Sequence, residues 1–164
     1  MSWIHKWKNN KTKCKWKHLT HACDVLSVQL AKQNITKIVG LARGGLVPAT
    51  LLANSLCVRE VFSIGLASYE LTAEGIEQSG ELNVYQQLRF DGKTRIAPGD
   101  TVLIVDDISD QGHTLNMARD MVRKMDVCDV QTLAIYTKPE TKHVPDYFYK
   151  TIAQDCWVVF PWEK

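Results

Sequence analysis

The stretch Val102-Leu103-Ile104-Val105-Asp106-Asp107-Ile108-Ser109-Asp110-Gln111-Gly112-His113-Thr114 constrains this chain more than any other. It reads as an apolar strand, strongest from Thr101 to Val105, that ends abruptly in two acids. A small polar loop follows, then a helix from Thr114 to about Met125. Adjacent carboxylates at a buried strand end cost free energy unless a cation or a hydroxyl-rich group answers them. The segment therefore limits both the fold, which must accommodate strand, loop and helix in succession, and the kind of ligand the loop can hold.

The rest of the chain repeats that alternation. Between Leu19 and Gln33 the apolar residues Leu19, Ala22, Cys23, Leu26 and Leu30 recur at helical spacing, with Thr20 available as an N-cap. Lys37 to Ala42 is a short buried strand, broken by Arg43-Gly44-Gly45 before a helix of roughly ten residues that opens near Val47-Pro48, where proline suits a first turn. Val61 to Tyr69 is a second strand. Glu70 to Glu81, polar and containing Gly75 and Gly80, reads as a mobile loop. Val84 to Phe90 alternates like a half-exposed strand, Asp91-Gly92 turns the chain, and Pro98-Gly99-Asp100 turns it again. Val130 to Tyr136, Tyr147 to Ile152 and Trp157 to Phe160 complete the strands. Strands alternating with helices argue for an α/β fold around a central parallel sheet.

The chain has 164 residues, 45% hydrophobic and 23% charged, which suits one soluble domain and excludes disordered and fibrous classes. A chain this long buries roughly 70% of its unfolded surface and needs no disulfide or structural metal to hold a core. Its five cysteines are odd in number and scattered, which fits a reduced, cytoplasmic protein. No apolar run approaches the ~20 residues of a membrane span. Lys6, Lys8, Lys11, Lys13, Lys15 and Lys17 precede the first acid, and setting them aside leaves the body with a net charge of −4. Residues 1–18 are thus expected to form a basic arm and 19–164 a single domain. With Trp3, Trp7 and Trp16 among its lysines, the arm could bind single-stranded nucleic acid, although a solvated or subunit-docking extension is the plainer expectation.

In such sheets ligands bind beyond the carboxyl ends of the strands. There Mg²⁺ and a sugar diol would answer Asp106 and Asp107, while the loop N–H groups and the helix N-terminus would hold a phosphate. Diol and phosphate together describe a ribose 5-phosphate cradle. The same residues also fit a solvated turn with Asp110 as helix cap. In Gly40-Leu41-Ala42-Arg43-Gly44-Gly45-Leu46, glycines let the backbone approach an anion and Arg43 supplies a forked cationic donor, though a plain turn would look alike.

The first segment resembles the phosphoribosyl-pyrophosphate signature of type I phosphoribosyltransferases, and the second resembles that family's pyrophosphate loop. The resemblance implies a central, mainly parallel twisted sheet flanked by helices, with a small C-terminal base-binding hood. By it, Asp106 and Asp107 meet the ribose hydroxyls and magnesium, with Asp107 the first metal ligand and Asp106 and Glu163 further candidates. Asp110, Gln111, Gly112, His113 and Thr114 form the phosphate loop, and Ala42, Arg43 and Gly44 the pyrophosphate loop. Ser68-Tyr69 opens the polar stretch that, in the purine-salvage branch, closes over the reacting centre. Two positions depart from the pattern. Gln111 stands where Thr or Ser is usual and His113 where Gly is common, so one hydroxyl contact is lost, although the Gln111 amide can still donate.

Lys138-Pro139 and Gln154-Asp155-Cys156-Trp157-Val158-Val159-Phe160-Pro161-Trp162-Glu163 look like the base-binding part of bacterial xanthine-guanine and hypoxanthine-guanine phosphoribosyltransferases. There Trp157 would stack on a purine, beside Val158 and Ile108. Lys138, with three donors and no acceptor, suits a 6-oxo group. The resemblance thus implies transfer of ribose 5-phosphate from phosphoribosyl pyrophosphate to guanine, xanthine or hypoxanthine, with Asp110 and Arg43 as the catalytic residues. It also implies a homo-oligomer, dimer or tetramer, with no membrane partner. The alternative is a regulator that binds phosphoribosyl pyrophosphate or a nucleotide without turnover and contacts RNA through the arm.

Overall fold

Buried side chains of one strand divide between two cores. In β5 (Thr101–Ser109), Leu103 and Val105 join Ile38, Leu133 and Ile135 on one side, while Val102 and Ile104 join Val39, Leu41, Ile64 and Ala134 on the other. A strand apolar on both faces must be covered on both faces. The computed structural model, which describes residues 10–72, 75–86 and 96–163 and the side chains of 10–66 and 96–163, meets that demand. Helices α1 (Trp16–Leu30) and α2 (Leu46–Ser55) cover the first face, and α3 (His113–Arg123) covers the second.

The other strands are β1 (Lys11–Lys13), β2 (Lys37–Ala42), β3 (Glu60–Thr72), β4 (Gly75–Gln86), β6 (Asp129–Thr137), β7 (Tyr147–Thr151) and β8 (Trp157–Val159). Six form one sheet in the order β4-β3-β2-β5-β6-β7, in which five are parallel and edge strand β4 is antiparallel to β3. From β2 the chain passes outward to β3; from β5 it passes the opposite way to β6 and β7. The order reverses between β2 and β5, where Gly40 lies opposite Val105, and the loops leaving these two strands flank the crevice in which open α/β sheets bind ligands. Among the described residues no helix is long and apolar enough to cross a membrane.

Four local expectations change. First, β5 does not stop at Val105. It runs through both acids to Ser109, because pairing with β6 continues from Asp106 opposite Ala134 to Ser109 opposite Thr137. Second, Glu70 to Thr72 and Gly75 to Glu81 are strand rather than loop: β3 and β4 pair antiparallel, with Tyr69 opposite Gln78 and Thr72 opposite Gly75. Backbone pairing in an antiparallel edge ribbon does not require apolar side chains, so a polar composition hides it. Val84 to Gln86 belongs to β4; the rest of the strand expected to Phe90, and the Asp91-Gly92 turn, lie outside the described residues.

Third, α1 starts at Trp16 after Lys15, whose N–H donates to His18 Nδ1 at 3.4 Å, rather than near Leu19 with Thr20 as its N-cap. Its first turn, Trp16 to His18, is exposed and so leaves no apolar period to read. Fourth, residues 10–18 do not behave as a free arm: Lys11–Lys13 pairs in parallel with β8 and Cys14 is buried in the core. Trp3 and Trp7 lie outside the described residues.

Candidate active site

At the carboxyl end of β5, Asp106 and Asp107 are half-buried and face each other's charge. The Asp107 N–H donates to Asp106 Oδ1 at 2.9 Å. Burial, then the Asp107 charge, raises the Asp106 carboxyl well above the usual range. Burial also pushes Asp107 up to about 6, against hydrogen bonds from Asp106 and the Ile108 N–H, with the Glu163 carboxylate adding to the rise. Two adjacent acids that resist ionisation together are eased by a cation or a hydroxyl donor beside them.

The loop after β2 lies directly on these acids. A Cβ on Gly44 would collide with the Asp107 carboxylate, and one on Gly45 with the Val105 carbonyl, so only glycine permits this approach. The Ala42–Arg43 peptide is cis, Ala42 is half-buried, and the Arg43 side chain is exposed.

The loop after β5 turns into α3 at Gly112, whose φ of 80° places it in the left-handed region. The segment after β6 packs on this loop: a Cβ on Gly112 would stand 2.8 Å from Thr141 Oγ1 and 2.8 Å from His143 Cβ. The Lys142 N–H donates to the Gln111 carbonyl at 3.1 Å, and the rings of His113 and His143 meet edge-on at 5.8 Å. Gln111 and His113 are exposed and Thr114 half-buried, at a helix N-terminus whose free N–H groups suit an anion.

On the other side of Asp110, the Lys138 side chain is 3% exposed and its Nζ lies 3.4 Å from Asp110 Oδ2, while the Lys138 backbone N–H donates to the Ser109 carbonyl at 3.1 Å. Gln154 donates from Nε2 to Asp110 Oδ1 at 3.3 Å, and its Oε1 accepts the Glu140 N–H at 3.2 Å. Trp157, on β8, is 45% exposed. The Val158 side chain is buried in the core, so Val158 can offer a ligand only its backbone; Ile108 is half-buried against the same core. Glu163 is exposed and accepts the Phe160 N–H at 2.9 Å. Ser68 and Tyr69 lie on β3, with side chains outside the described residues.

The fold therefore brings Asp106 and Asp107 to Gly44, and Asp110 to Lys138. Thr141, His143 and Asn10 are neighbours that sequence reasoning did not name, and Gln154 was named only as part of the base-binding stretch, because each meets its partner through tertiary contact and no local spacing signals it. Among the described residues no three His, Cys, Asp or Glu side chains cluster closely enough to hold a metal by themselves. The oxygen-only pair Asp106 and Asp107 nonetheless fits magnesium, which commonly binds through one or two carboxylates and takes its remaining ligands from water and substrate phosphates.

Acids near the end of a central strand, a glycine loop pressed on them and a helix N-terminus, all at one switch point, define an α/β protein with a single ligand-binding crevice. The chain belongs to the phosphoribosyl transferase domain family, which matches residues 15–163, and it has the type I phosphoribosyltransferase fold. It is 33% identical over 148 residues to the xanthine-guanine phosphoribosyltransferase of Chromohalobacter salexigens, covering 90% of this chain and 81% of that protein. It is 32% identical to the enzyme of the same name from Idiomarina loihiensis, covering 90% and 84%. The purine phosphoribosyltransferase structure from Pyrococcus horikoshii superposes with a TM-score of 0.79 at 28% identity, covering 94% of this chain and 95% of that one.

Proposed function

We propose that this protein is a purine-salvage enzyme that transfers ribose 5-phosphate from phosphoribosyl pyrophosphate to a 6-oxopurine and releases pyrophosphate. The observation that carries the choice of base is the buried Lys138 side chain, whose ammonium lies 3.4 Å from Asp110 Oδ2. An ammonium can only donate, which suits a 6-oxo group and opposes a 6-amino group. The names of the relatives point the same way.

In this reading Asp106 and Asp107 hold the ribose hydroxyls and would hold magnesium. When bound, magnesium supplies positive charge toward the pyrophosphate oxygens. The glycine loop and the Arg43 guanidinium bind the departing pyrophosphate, and the loop from Asp110 to Thr114 grips the 5-phosphate. The sugar C1–oxygen bond breaks ahead of C1–nitrogen bond formation, through an oxocarbenium-like state. The proton released from the purine ring passes to, or is shared with, Asp110. Trp157 stacks on the base, and catalysis comes mainly from positioning and charge.

The test is one assay of guanine, xanthine, hypoxanthine and adenine with magnesium and phosphoribosyl pyrophosphate. Turnover of at least one 6-oxopurine with little of adenine is expected. Binding of phosphoribosyl pyrophosphate without turnover of any base would favour the regulator. Assembly into a homo-oligomer belongs to the same reading, and sedimentation measures it.

A further inference from the structure

We infer that Gln154 is a positioning residue for Asp110, locking its carboxylate against the purine end of the site. Asp110 is half-buried, and each of its oxygens has a donor: Nε2 of Gln154 at 3.3 Å on Oδ1, and Nζ of Lys138 at 3.4 Å on Oδ2. The Gln154 amide is itself oriented, because the Glu140 N–H donates to its Oε1 at 3.2 Å and so turns the Nε2 group toward Asp110. One side chain thereby ties the phosphate loop, the segment following Lys138 and the chain entering β8.

This geometry suits a proton acceptor. Held between a lysine and an amide donor, the carboxylate loses rotational freedom and keeps a fixed direction toward whatever lies beside Lys138. A hydrogen bond to a charged acceptor is among the stronger ones a protein makes, so its loss is felt at the reacting atoms even when the fold is unchanged. The inference rests on the proposed function, since it assigns Asp110 the purine proton.

Two substitutions separate positioning from mere structure. Gln154→Glu keeps an oxygen to accept the Glu140 N–H but replaces the donor to Asp110 with a second acidic oxygen. Gln154→Met removes both contacts. If Gln154 positions Asp110, Gln154→Glu lowers the single-turnover rate with guanine or hypoxanthine at least tenfold, with the Kd for magnesium-phosphoribosyl pyrophosphate within about twofold of wild type. In an Asp110→Asn background, Gln154→Glu then lowers the rate no further. A purely structural role gives the opposite order: Gln154→Glu near wild type and Gln154→Met impaired mainly in stability. An unchanged single-turnover rate in a folded Gln154→Glu protein overturns the inference while leaving the proposed function standing. A wild-type chain that turns over no 6-oxopurine overturns the proposed function, and the inference with it.

Discussion

The Trp157 backbone N–H donates to the Asn10 carbonyl at 2.8 Å, so the strand that carries this exposed aromatic is held by a residue near the other end of the chain. The ladder continues from Lys11 opposite Trp157 to Lys13 opposite Val159, and the Asn10 amide donates to Asp155 at 3.1 Å. Deleting residues 1–13 is therefore not neutral, as a free basic arm would imply. KM for the purine should rise about tenfold while phosphoribosyl pyrophosphate binding holds, because the stacking surface loses its support. Thr12→Pro, which disrupts the ladder from inside, should reproduce this, and steady-state kinetics with each substrate varied would show it. Equal loss of both affinities would point to global unfolding instead.

Replacing both strand-end acids, Asp106→Asn with Asp107→Asn, should abolish magnesium-dependent binding of phosphoribosyl pyrophosphate and leave the fold intact, since neutral amides relieve the repulsion between two half-buried carboxyls. Calorimetry with and without magnesium measures this. Binding that persists in the folded double variant would move the cradle elsewhere.

The same acids set a pH dependence. Unfolded, an aspartate titrates near 3.9; folded, Asp107 is pushed up to about 6. The folded state holds this proton more tightly, so the contribution of Asp107 to stability is fully present below about pH 4 and is lost as pH rises through about 6. The loss is on the order of 2–3 kcal/mol in metal-free protein. Urea unfolding at pH 4.5 and 7.5 in the presence of a chelator should show a steeper decline for wild type than for Asp107→Asn. Parallel curves would mean that Asp107 carries no such shift.

Lys138→Gln offers an acceptor as well as a donor to the 6-position. Sites built on one hydrogen bond can reject the wrong partner by roughly four orders of magnitude, so wild type should use adenine very poorly. The variant should lose turnover with guanine and hypoxanthine, in part because Asp110 loses its cation, and should narrow the gap to adenine. Relative kcat/KM values decide it: unchanged selectivity would mean that Lys138 does not read that position.

Gly112→Ala should destabilise by about 1–2 kcal/mol from the left-handed backbone alone. Contacts with Thr141 and His143 add to that. Thermal unfolding should register a drop of several degrees together with weaker binding of phosphoribosyl pyrophosphate. An unchanged melting temperature would show that the neighbouring segment yields.

What the chain determines locally could be read locally. The apolar run from Val102 to Val105, the acids after it, the break at Arg43-Gly44-Gly45 and the period of Leu19, Ala22, Cys23, Leu26 and Leu30 each lie within a few turns or a single strand, and their hydrophobic spacing or loop chemistry survives without tertiary context. The polar hairpin of β3 and β4 was not legible, because backbone pairing leaves no mark on side-chain polarity. Nor was the first turn of α1, which buries nothing. Only the tertiary structure decided that Lys11–Lys13 is a strand paired with the one bearing Trp157, that Gly44 presses on Asp107, and that Gln154 and Lys138 share the two oxygens of Asp110. Those contacts join residues far apart in the chain, whose meeting depends on strand order and register, and no short window of sequence carries that information.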